Sequence, residues 1–265
     1  MKTQRRGSER RELLKREKIS VTVITHNEEA NIRDCLESVV WADEIIVVDS
    51  GSTDKTVDIA REFTDRVYHN PWVGMKEQKQ FAVEKASHPW IFSIDADERA
   101  THDIKECIIR ELQNPAYDGY RFPRKNFFLG SWLQHGGWYP DHVLRFFRKD
   151  RGHFGGINPH DKVIIQSGKI ATMKTPIIHH TYRSISHYLT KQQMYASISA
   201  RELYLSGKRV APYVIPLKTF GKFIETYFVK MGFLDGFHGF LVAMGATYAI
   251  FWKYVQIWEL SVKSR

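Results

Sequence analysis

The sequence predicts an α/β protein with a mostly parallel central sheet, followed by a helical, partly amphipathic C-terminal extension. Three observations carry that prediction. The β-branched runs ISVTVIT (Ile19–Thr25), EIIVVD (Glu44–Asp49) and WIFSID (Trp90–Asp95) are nearly continuously apolar, as strands covered on both faces are. Segments with apolar residues at helical spacing separate them, which is the rhythm of βαβ units. From Phe220 to Leu260 the pattern gives way to an aromatic-rich stretch, in which only Asp235 and His238 are ionisable between Lys230 and Lys253.

In chain order, Ile19–Thr25 is the first strand. Glu28–Val40 follows as a helix, with Ile32, Cys35, Leu36 and Val39 on one side. Glu44–Asp49 is the second strand, and Asp54–Glu62 a helix that opens after the cap formers Ser52 and Thr53. Arg66–Tyr68 reads as a short strand, Met75–Lys85 as a helix, and Trp90–Asp95 as the third strong strand. Residues 19–100 therefore read as a nucleotide-binding half. Thr101 caps a helix reaching Leu112, after which Gly119–Pro123 and Val143–Phe147 read as strands among long loops. Asn126–Asp141 (NFFLGSWLQHGGWYPD) is aromatic and glycine-rich, a better loop over a ligand than a core element. Ser184–Leu205 reads as an amphipathic helix stopped by Gly207.

Of the 265 residues, 43% are hydrophobic and 26% charged, which excludes a disordered chain, a collagen-like fibre and a small disulfide scaffold. The net charge of +9 points to a polyanionic partner. Residues 1–18 carry eight Lys/Arg and three Glu, and residues 201–265 carry nine Lys/Arg and four acids. The stretch between them, with 22 bases and 23 acids, is neutral. A nucleic-acid partner is disfavoured because the basic ends lack a reading motif. An anionic membrane surface suits them better.

Cys35 and Cys107 lie 72 positions apart without a C-x-x-C motif and read as free thiols in a reducing compartment. The first 18 residues contain no apolar run of the kind a signal peptide needs, so a cytoplasmic body is expected. Gly236–Trp252, 17 residues long, falls short of the roughly 20 of a membrane span. Its flanking Lys222, Lys230 and Lys253 and its aromatics suit a helix lying in the headgroup region. The alternative is an apolar hairpin completing a soluble core.

The sharpest chemical signal is Asp95-Ala96-Asp97 at the carboxyl end of a strand, where α/β sheets bind ligands. Two carboxylates at i and i+2 converge readily on one divalent cation, Mg²⁺ or Mn²⁺, shared with phosphate oxygens. Asp49 ends the second strand before Ser50-Gly51-Ser52-Thr53-Asp54, and Thr25, His26, Asn27 and Glu28 end the first. Each group alone is equally a turn or helix cap; together they aim polar groups at one rim. Lys79 either reaches this rim or lies on a solvated helix face. Asp95 and Asp97 are too close in sequence to flank a glycosidic bond as the acid and nucleophile of a hydrolase.

THNEEANIRDCLESVVWADEIIVVDSGSTDKT, followed by DADE, resembles the family 2 inverting glycosyltransferases with a GT-A fold. GYRFPRKNFFLGSWLQHGGWYPDHVLRFFR and GFLDGFHGF…KYVQIWEL extend the resemblance to the lipopolysaccharide-core β-1,4-glucosyltransferase group, over the whole chain beyond residue 18. The resemblance implies a basic arm (1–18), a GT-A catalytic domain (19–182, divided into a nucleotide half 19–100 and an acceptor half 101–182), and a helical membrane-associating region (183–265). It implies a UDP-sugar donor, a divalent cation, a lipid-linked core oligosaccharide acceptor, and work at the cytoplasmic face of the inner membrane. Thr25, Asn27 and Glu28 would line the nucleotide pocket, Asp49 would contact the base, and Gly51 would let the backbone pass close. Asp95, with Ala96 beside it, would meet the donor at the ribose or metal, and Asp97 the metal. Lys79, read from its place in the helix before that strand, reaches the donor or an acid of this site.

An inverting transfer needs one general base. The subgroup tends to carry Val-His-Glu where this chain has Asn158-Pro159-His160-Asp161, so Asp161 is the first candidate and Asp141, in WYPD, the second. A structural role for Asp161, paired with a lysine, stays open, as do metal, phosphate and packing roles for His160. Arg145 and Arg148 are either anion binders or exposed strand charges. Trp132, Trp138 and Tyr139 either stack on sugars or pack on the sheet. His179 and His180, adjacent on a strand, point to opposite faces and do not share one ion.

Overall fold

The computed structural model describes residues 16–157, 160–166, 168–182 and 184–263. Most of the basic N-terminal arm, together with Asn158 and Pro159, lies outside them, as does the His160 side chain. The chain divides into two compact units. The first holds the described residues up to Arg124 and His142–His179, and the second holds Lys125–Asp141 and His180 onward.

The first unit is built on parallel strands β1 (Ile19–Thr25), β2 (Glu44–Asp49), β3 (Val67–His69) and β4 (Trp90–Asp95), in the order β3-β2-β1-β4. Helices α1 (Ile32–Glu37), α2 (Thr56–Arg61) and α3 (Met75–Lys85) connect them. Strand alternation divides the core: Ile45 and Val47 face one side with α1, while Ile46 and Val48 face the other with Ala82 and Val83 of α3. The short β5 (Glu98–Arg99) leads into α4 (His102–Glu111), whose N-terminus Thr101 caps by accepting the Ile104 N–H.

Antiparallel β8 (Asp141–Arg148) extends the sheet beside β4, followed by β6 (Gly119–Phe128) and β12 (Ile177–Tyr182). β11 (Ile170–Thr172) also pairs with β6. A separate hairpin, β9 (Gly152–Ile157) with β10 (His160–Ile165), places Phe154, Val163 and Ile165 in the α3-side core. The sequence predicts none of β9, β10 and β11, and of β12 only that His179 and His180 lie on a strand. Short, Gly- and His-interrupted runs such as GHFGGI and IIHHTY give no period of their own, and only pairing makes them strands.

In the second unit, β7 (Ser131–Trp132) pairs with the end of β6, and Asn126–Asp141 is accordingly strand, turn and loop rather than loop throughout. Helix α5 (Ile185–Leu205) has Ser184 as its cap, accepting from the His187 N–H. α6 (Val214–Phe223) continues as a π-helical turn (Ile224–Val229), then a 3₁₀ turn (Gly232–Asp235) and the long α7 (Gly236–Lys263). Gly245 lets α7 approach the ring of Tyr188, whose hydroxyl donates to the Val242 carbonyl at 3.1 Å.

The C-terminal segment is not a buried hairpin. Gly232–Lys263 is long and apolar enough to cross a membrane, and only 22% of its most apolar window is buried. Phe237, Met244, Phe251 and Trp258 recur every seven residues along α7 and are all exposed. Tyr213, Leu217, Phe220 and Phe228 form a matching exposed stripe on the preceding helical stretch. A groove of about 430 Å³ runs between the two, lined by Ile215, Phe220, Phe223, Met244 and Phe251.

Candidate active site

The register of the parallel strands assembles the rim. Thr25 pairs with Asp49 across β1 and β2, and Ile24 pairs with Asp95 across β1 and β4. Three chain segments far apart in sequence thus end side by side, at the carboxyl edge where ligands bind in open α/β sheets.

At the first strand end the Thr25 hydroxyl is buried without a hydrogen-bond partner. Asn27 adopts φ 54°, a left-handed conformation that asparagine tolerates better than most residues. Its side-chain carbonyl accepts from the Thr53 N–H at 2.8 Å, and its own N–H donates to the Ser52 hydroxyl at 2.8 Å. The Glu28 carboxylate accepts from the Asn31 amide at 2.6 Å, and its backbone N–H donates to the Thr56 hydroxyl. Asn31 and Lys55 stand at the N-caps of α1 and α2; Asn27 and Thr53 instead tie the two loops together.

Asp49 is 4% exposed and organises the turn after β2. Its Oδ2 accepts from the Gly51 and Ser52 N–H groups at 2.8 and 2.9 Å, and its Oδ1 accepts from the Ser52 hydroxyl at 2.5 Å. Gly51 has φ 93°, a value that strains any residue with a Cβ. From α3, Gln78 donates to the Ser50 hydroxyl at 2.8 Å and holds the same turn from behind.

The third strand end is a charge network. Asp95 meets Arg145 Nη2 and lies 3.1 Å from Lys79 Nζ. Lys79 is 5% exposed, not on a solvated face, and its Nζ lies 3.2 Å from Asp161 Oδ2, so one ammonium stands between two carboxylates. Arg145 also binds Glu98 at 2.7 Å, and Arg124 reaches the same carboxylate at 3.1 Å. Glu98, fully buried, accepts from the Asp95 N–H at 3.0 Å and fixes the turn. Burial by itself pushes the Asp95 carboxyl upward, but Arg145 and Lys79 overcome it and hold the group far below the usual carboxylate range. Burial likewise works against the Arg145 charge, and Asp95 with Glu98 more than restores it. Ala96, buried at 4% exposure, contributes its carbonyl to the Arg99 guanidinium.

Asp97 faces His179, with Oδ1 3.5 Å from Nε2. Antiparallel pairing of β12 with β5 sets His179 opposite Glu98. His180 points elsewhere and packs its ring against Phe127. Cys35, fully buried, directs its Sγ to the Asp95 carbonyl at 3.5 Å, and burial pushes its thiol up; Cys107 is half-buried, and both are free.

Glu98 and His179 were given no role by sequence reasoning, and Arg145 was left open between anion binder and exposed strand charge. Arg145 is neither exposed nor facing solvent: it is the internal counter-ion of Asp95 and Glu98. Arg148, on the same strand, pairs outward with Asp150 at 3.1 Å. The alternation of LRFFR separates the two arginines, but only the pairing of β8 with β4 shows which meets the rim. For Glu98, its place as the third acid of DADE was the available signal.

In the second unit Asp141 lies 3.5 Å from the Asn126 amide, which also donates to the Trp138 carbonyl at 2.8 Å. Trp138 packs against Phe128 and Tyr182 in a small core. Trp132 stands edge-on to Tyr139, with the Lys125 ammonium 4.4 Å above its ring and its indole N–H buried without a partner.

Among the described residues no three His, Cys, Asp or Glu side chains converge as a metal cage. Asp97, with His179 3.5 Å away, offers one carboxylate and one imidazole. The carboxylate suits Mg²⁺ or Mn²⁺ when ligand phosphates supply further oxygens, and the added imidazole favours Mn²⁺ over Mg²⁺.

Comparison with known proteins shows the family. A family profile described as Glycosyl transferase family 2 matches residues 20–179. The lipopolysaccharide core biosynthesis glycosyltransferase LpsC of Rhizobium meliloti (strain 1021) is 32% identical over 244 residues, 87% of this chain and 88% of that protein. An uncharacterized glycosyltransferase of Rickettsia typhi is 31% identical over 260 residues, 94% of this chain and 89% of that one. Among solved structures, S. aureus TarS 1-349 in complex with UDP aligns over 90% of this chain and 91% of its own, with a TM-score of 0.48 and 15% identity. Glucosyl-3-phosphoglycerate synthase from Mycobacterium tuberculosis in complex with Mn²⁺, UDP-glucose and phosphoglyceric acid aligns over 68% and 78%, with a TM-score of 0.44 and 19% identity. The matched stretch contains all three strand ends and the whole charge network, and the chain belongs to glycosyl transferase family 2 and is a glycosyltransferase.

Proposed function

We propose that this chain is an inverting hexosyltransferase that moves glucose from UDP-glucose to an inner-core heptose of lipopolysaccharide. The observation that carries the reading is the alignment of the Thr25, Asp49 and Asp95 strand ends at one sheet edge. The likeness to LpsC, a lipopolysaccharide core glycosyltransferase, supports the acceptor class. A glycosyltransferase acting on another surface polysaccharide or a polyprenyl-linked glycan is the alternative.

In this reading residues 19–100 bind the nucleotide, through Thr25, Asn27, Glu28, the turn shaped by Asp49 and Gly51, and the Asp95-Ala96 end of β4. Residues 101–182 serve the acceptor. Of the two roles expected for Asp95, ribose or metal contact, its cationic surroundings favour the ribose. Asp97 with His179 would hold a divalent cation, which neutralises charge on the departing diphosphate. Lys79 and Arg145 bring further positive charge toward the donor phosphates while keeping Asp95 ionised. The acceptor hydroxyl oxygen forms its bond to the anomeric carbon as the bond to UDP breaks, and its proton passes to a carboxylate. Asp161, oriented by Lys79, is that base; Asp141 is the second candidate.

The chain works at the cytoplasmic face of the inner membrane, held peripherally or monotopically by residues 183–265. The exposed stripes of α6 and α7 and the lysines among them support that placement.

A panel of UDP-sugars assayed on truncated core oligosaccharide tests donor and acceptor together. Asp161→Asn is expected to keep UDP affinity and to lose at least about a hundredfold in kcat. Near-normal turnover would transfer the role to Asp141, and absence of transfer from every UDP-sugar by the unmodified protein would overturn the reading.

A further inference from the structure

Within the second unit, the loop bearing Trp132 and Tyr139 is fastened to the turn between α6 and α7. The Asp235 carboxylate accepts the backbone N–H groups of Gln134 and His135 at 3.0 and 2.8 Å, and its other oxygen lies 2.8 Å from His135 Nδ1. The Gly136 N–H donates to the Lys230 carbonyl at 2.8 Å. A Cβ on Gly137 would meet the Lys230 stem at 3.2 Å, so the backbone lies directly on that side chain. Residues 134–137 are thus held by residues 230–235 through hydrogen bonds and close packing, and Asp235, with a side chain 6% exposed, receives most of the bonds.

The turn that provides this grip turns its own apolar side chains outward. Phe228, Val229, Met231, Phe233, Leu234 and Phe237 are between 45% and 71% exposed. Exposing this many large apolar groups together marks a surface that beds against something. The charges identify the partner. Asp235 is engaged by the loop, and Glu225 is paired with Lys222 at 3.1 Å and Lys230 at 2.5 Å. Lys218 stays exposed beside Leu217 and Phe220, and Lys230, though paired with Glu225, keeps its side chain 43% exposed. Lysine is depleted from the cores of protein–protein interfaces, whereas aromatics ringed by lysine suit the boundary of an anionic leaflet.

We propose that residues 228–237 bed into an anionic phospholipid surface and that Asp235 relays this placement to residues 134–137, acting as a positioning residue for the acceptor. The relay rests on the reading of a lipid-linked glycan acceptor; the lipid contact itself does not. A loop registered to the leaflet meets a membrane-borne glycan at a fixed height, which lowers the entropy lost on binding it.

The test uses the full chain and vesicles containing phosphatidylglycerol, with phosphatidylcholine vesicles as the control. Phe233→Asp combined with Leu234→Asp is expected to weaken vesicle binding at least about tenfold, with UDP affinity unchanged as evidence of folding. Asp235→Ala is expected to bind vesicles within about twofold of the unmodified protein. It should raise the KM for lipid-linked acceptor at least about tenfold with little change in kcat, and Asp235→Glu should recover part of the loss. Amide exchange at residues 134–136 reads the relay without turnover: vesicles should slow it in the unmodified protein and leave it unaltered in Asp235→Ala.

Vesicle binding that survives the double substitution, or self-association that the double substitution abolishes while vesicle binding persists, overturns the lipid contact. An unchanged acceptor KM in Asp235→Ala, or vesicle-induced slowing that persists in that variant, overturns the relay. Slowing of exchange without transfer from any UDP-sugar would instead sink the proposed reaction and leave the lipid contact standing.

Discussion

The two units depart from the usual division of polar outside and apolar inside in opposite directions. At the sheet rim of the first unit, Asp49, Lys79, Glu98 and Arg145 are each no more than 5% exposed. In the second, Tyr213, Leu217, Phe220 and Phe237 are each more than two-thirds exposed. Buried charge is tolerated in the first because each ion meets an opposite charge or a backbone N–H at hydrogen-bonding distance. Exposed apolar surface in the second has no such internal remedy, so its compensation lies outside the chain. In the proposed function, one departure serves a ligand that carries charge and the other a lipid surface.

That contrast can be broken most sharply at Arg145. Arg145→Met leaves Glu98 and Asp95 short of a cation, and removing one partner of a buried pair costs about 3–5 kcal/mol. Urea unfolding measures it; a cost under about 1 kcal/mol would mean that the network is solvated and the contrast false.

A smaller effect is expected at Asp95. Its folded carboxyl is held below the unfolded value, so its contribution to stability is present above about pH 3.9 and is lost as the pH falls below it. Asp95→Asn should therefore cost about 1–3 kcal/mol at neutral pH. The gap from the unmodified protein should close as acid protonates the native carboxylate. A gap independent of pH would assign the loss to packing rather than charge.

The smallest expected effect lies in the second unit. Phe220→Ser removes a large apolar side chain from the solvent-facing stripe, and its stability change should stay within about 0.5 kcal/mol. Thermal unfolding without lipid tests this, and a loss of several degrees would show that the stripe belongs to a core.

The parallel half of the fold was legible in the chain because its strands are fully covered. β1, β2 and β4 coincide with the three apolar runs, and α3 begins at Met75 and ends at Lys85 as its pattern indicates. The strand-end motifs were legible for the same reason, since a carboxylate directly after a buried strand stands out. Sequence reasoning did not reach the hairpin of β9 and β10, whose Gly-interrupted GHFGGI carries no period, or β11, whose pairing with β6 is non-local. It did not show that His179 meets Asp97, which follows only from the return of β12 beside β5. Nor did it show that Asn126–Asp141 belongs with the C-terminal helices, because Asp235 and His135 lie 100 positions apart.

The sequence by itself determined the α/β class, the positions of the strands that carry Thr25, Asp49 and Asp95, and the apolar character of the C-terminal segment. Those follow from local periodicity and from residue types that a short window contains. Tertiary structure alone decided which cations face which carboxylates, that Lys79 stands between Asp95 and Asp161, and that the apolar stripes of α6 and α7 look outward. Each of these depends on the relative placement of elements distant in sequence. Periodicity marks one face of a helix as apolar, but whether that face meets a core or the solvent is settled only when its neighbours are in place.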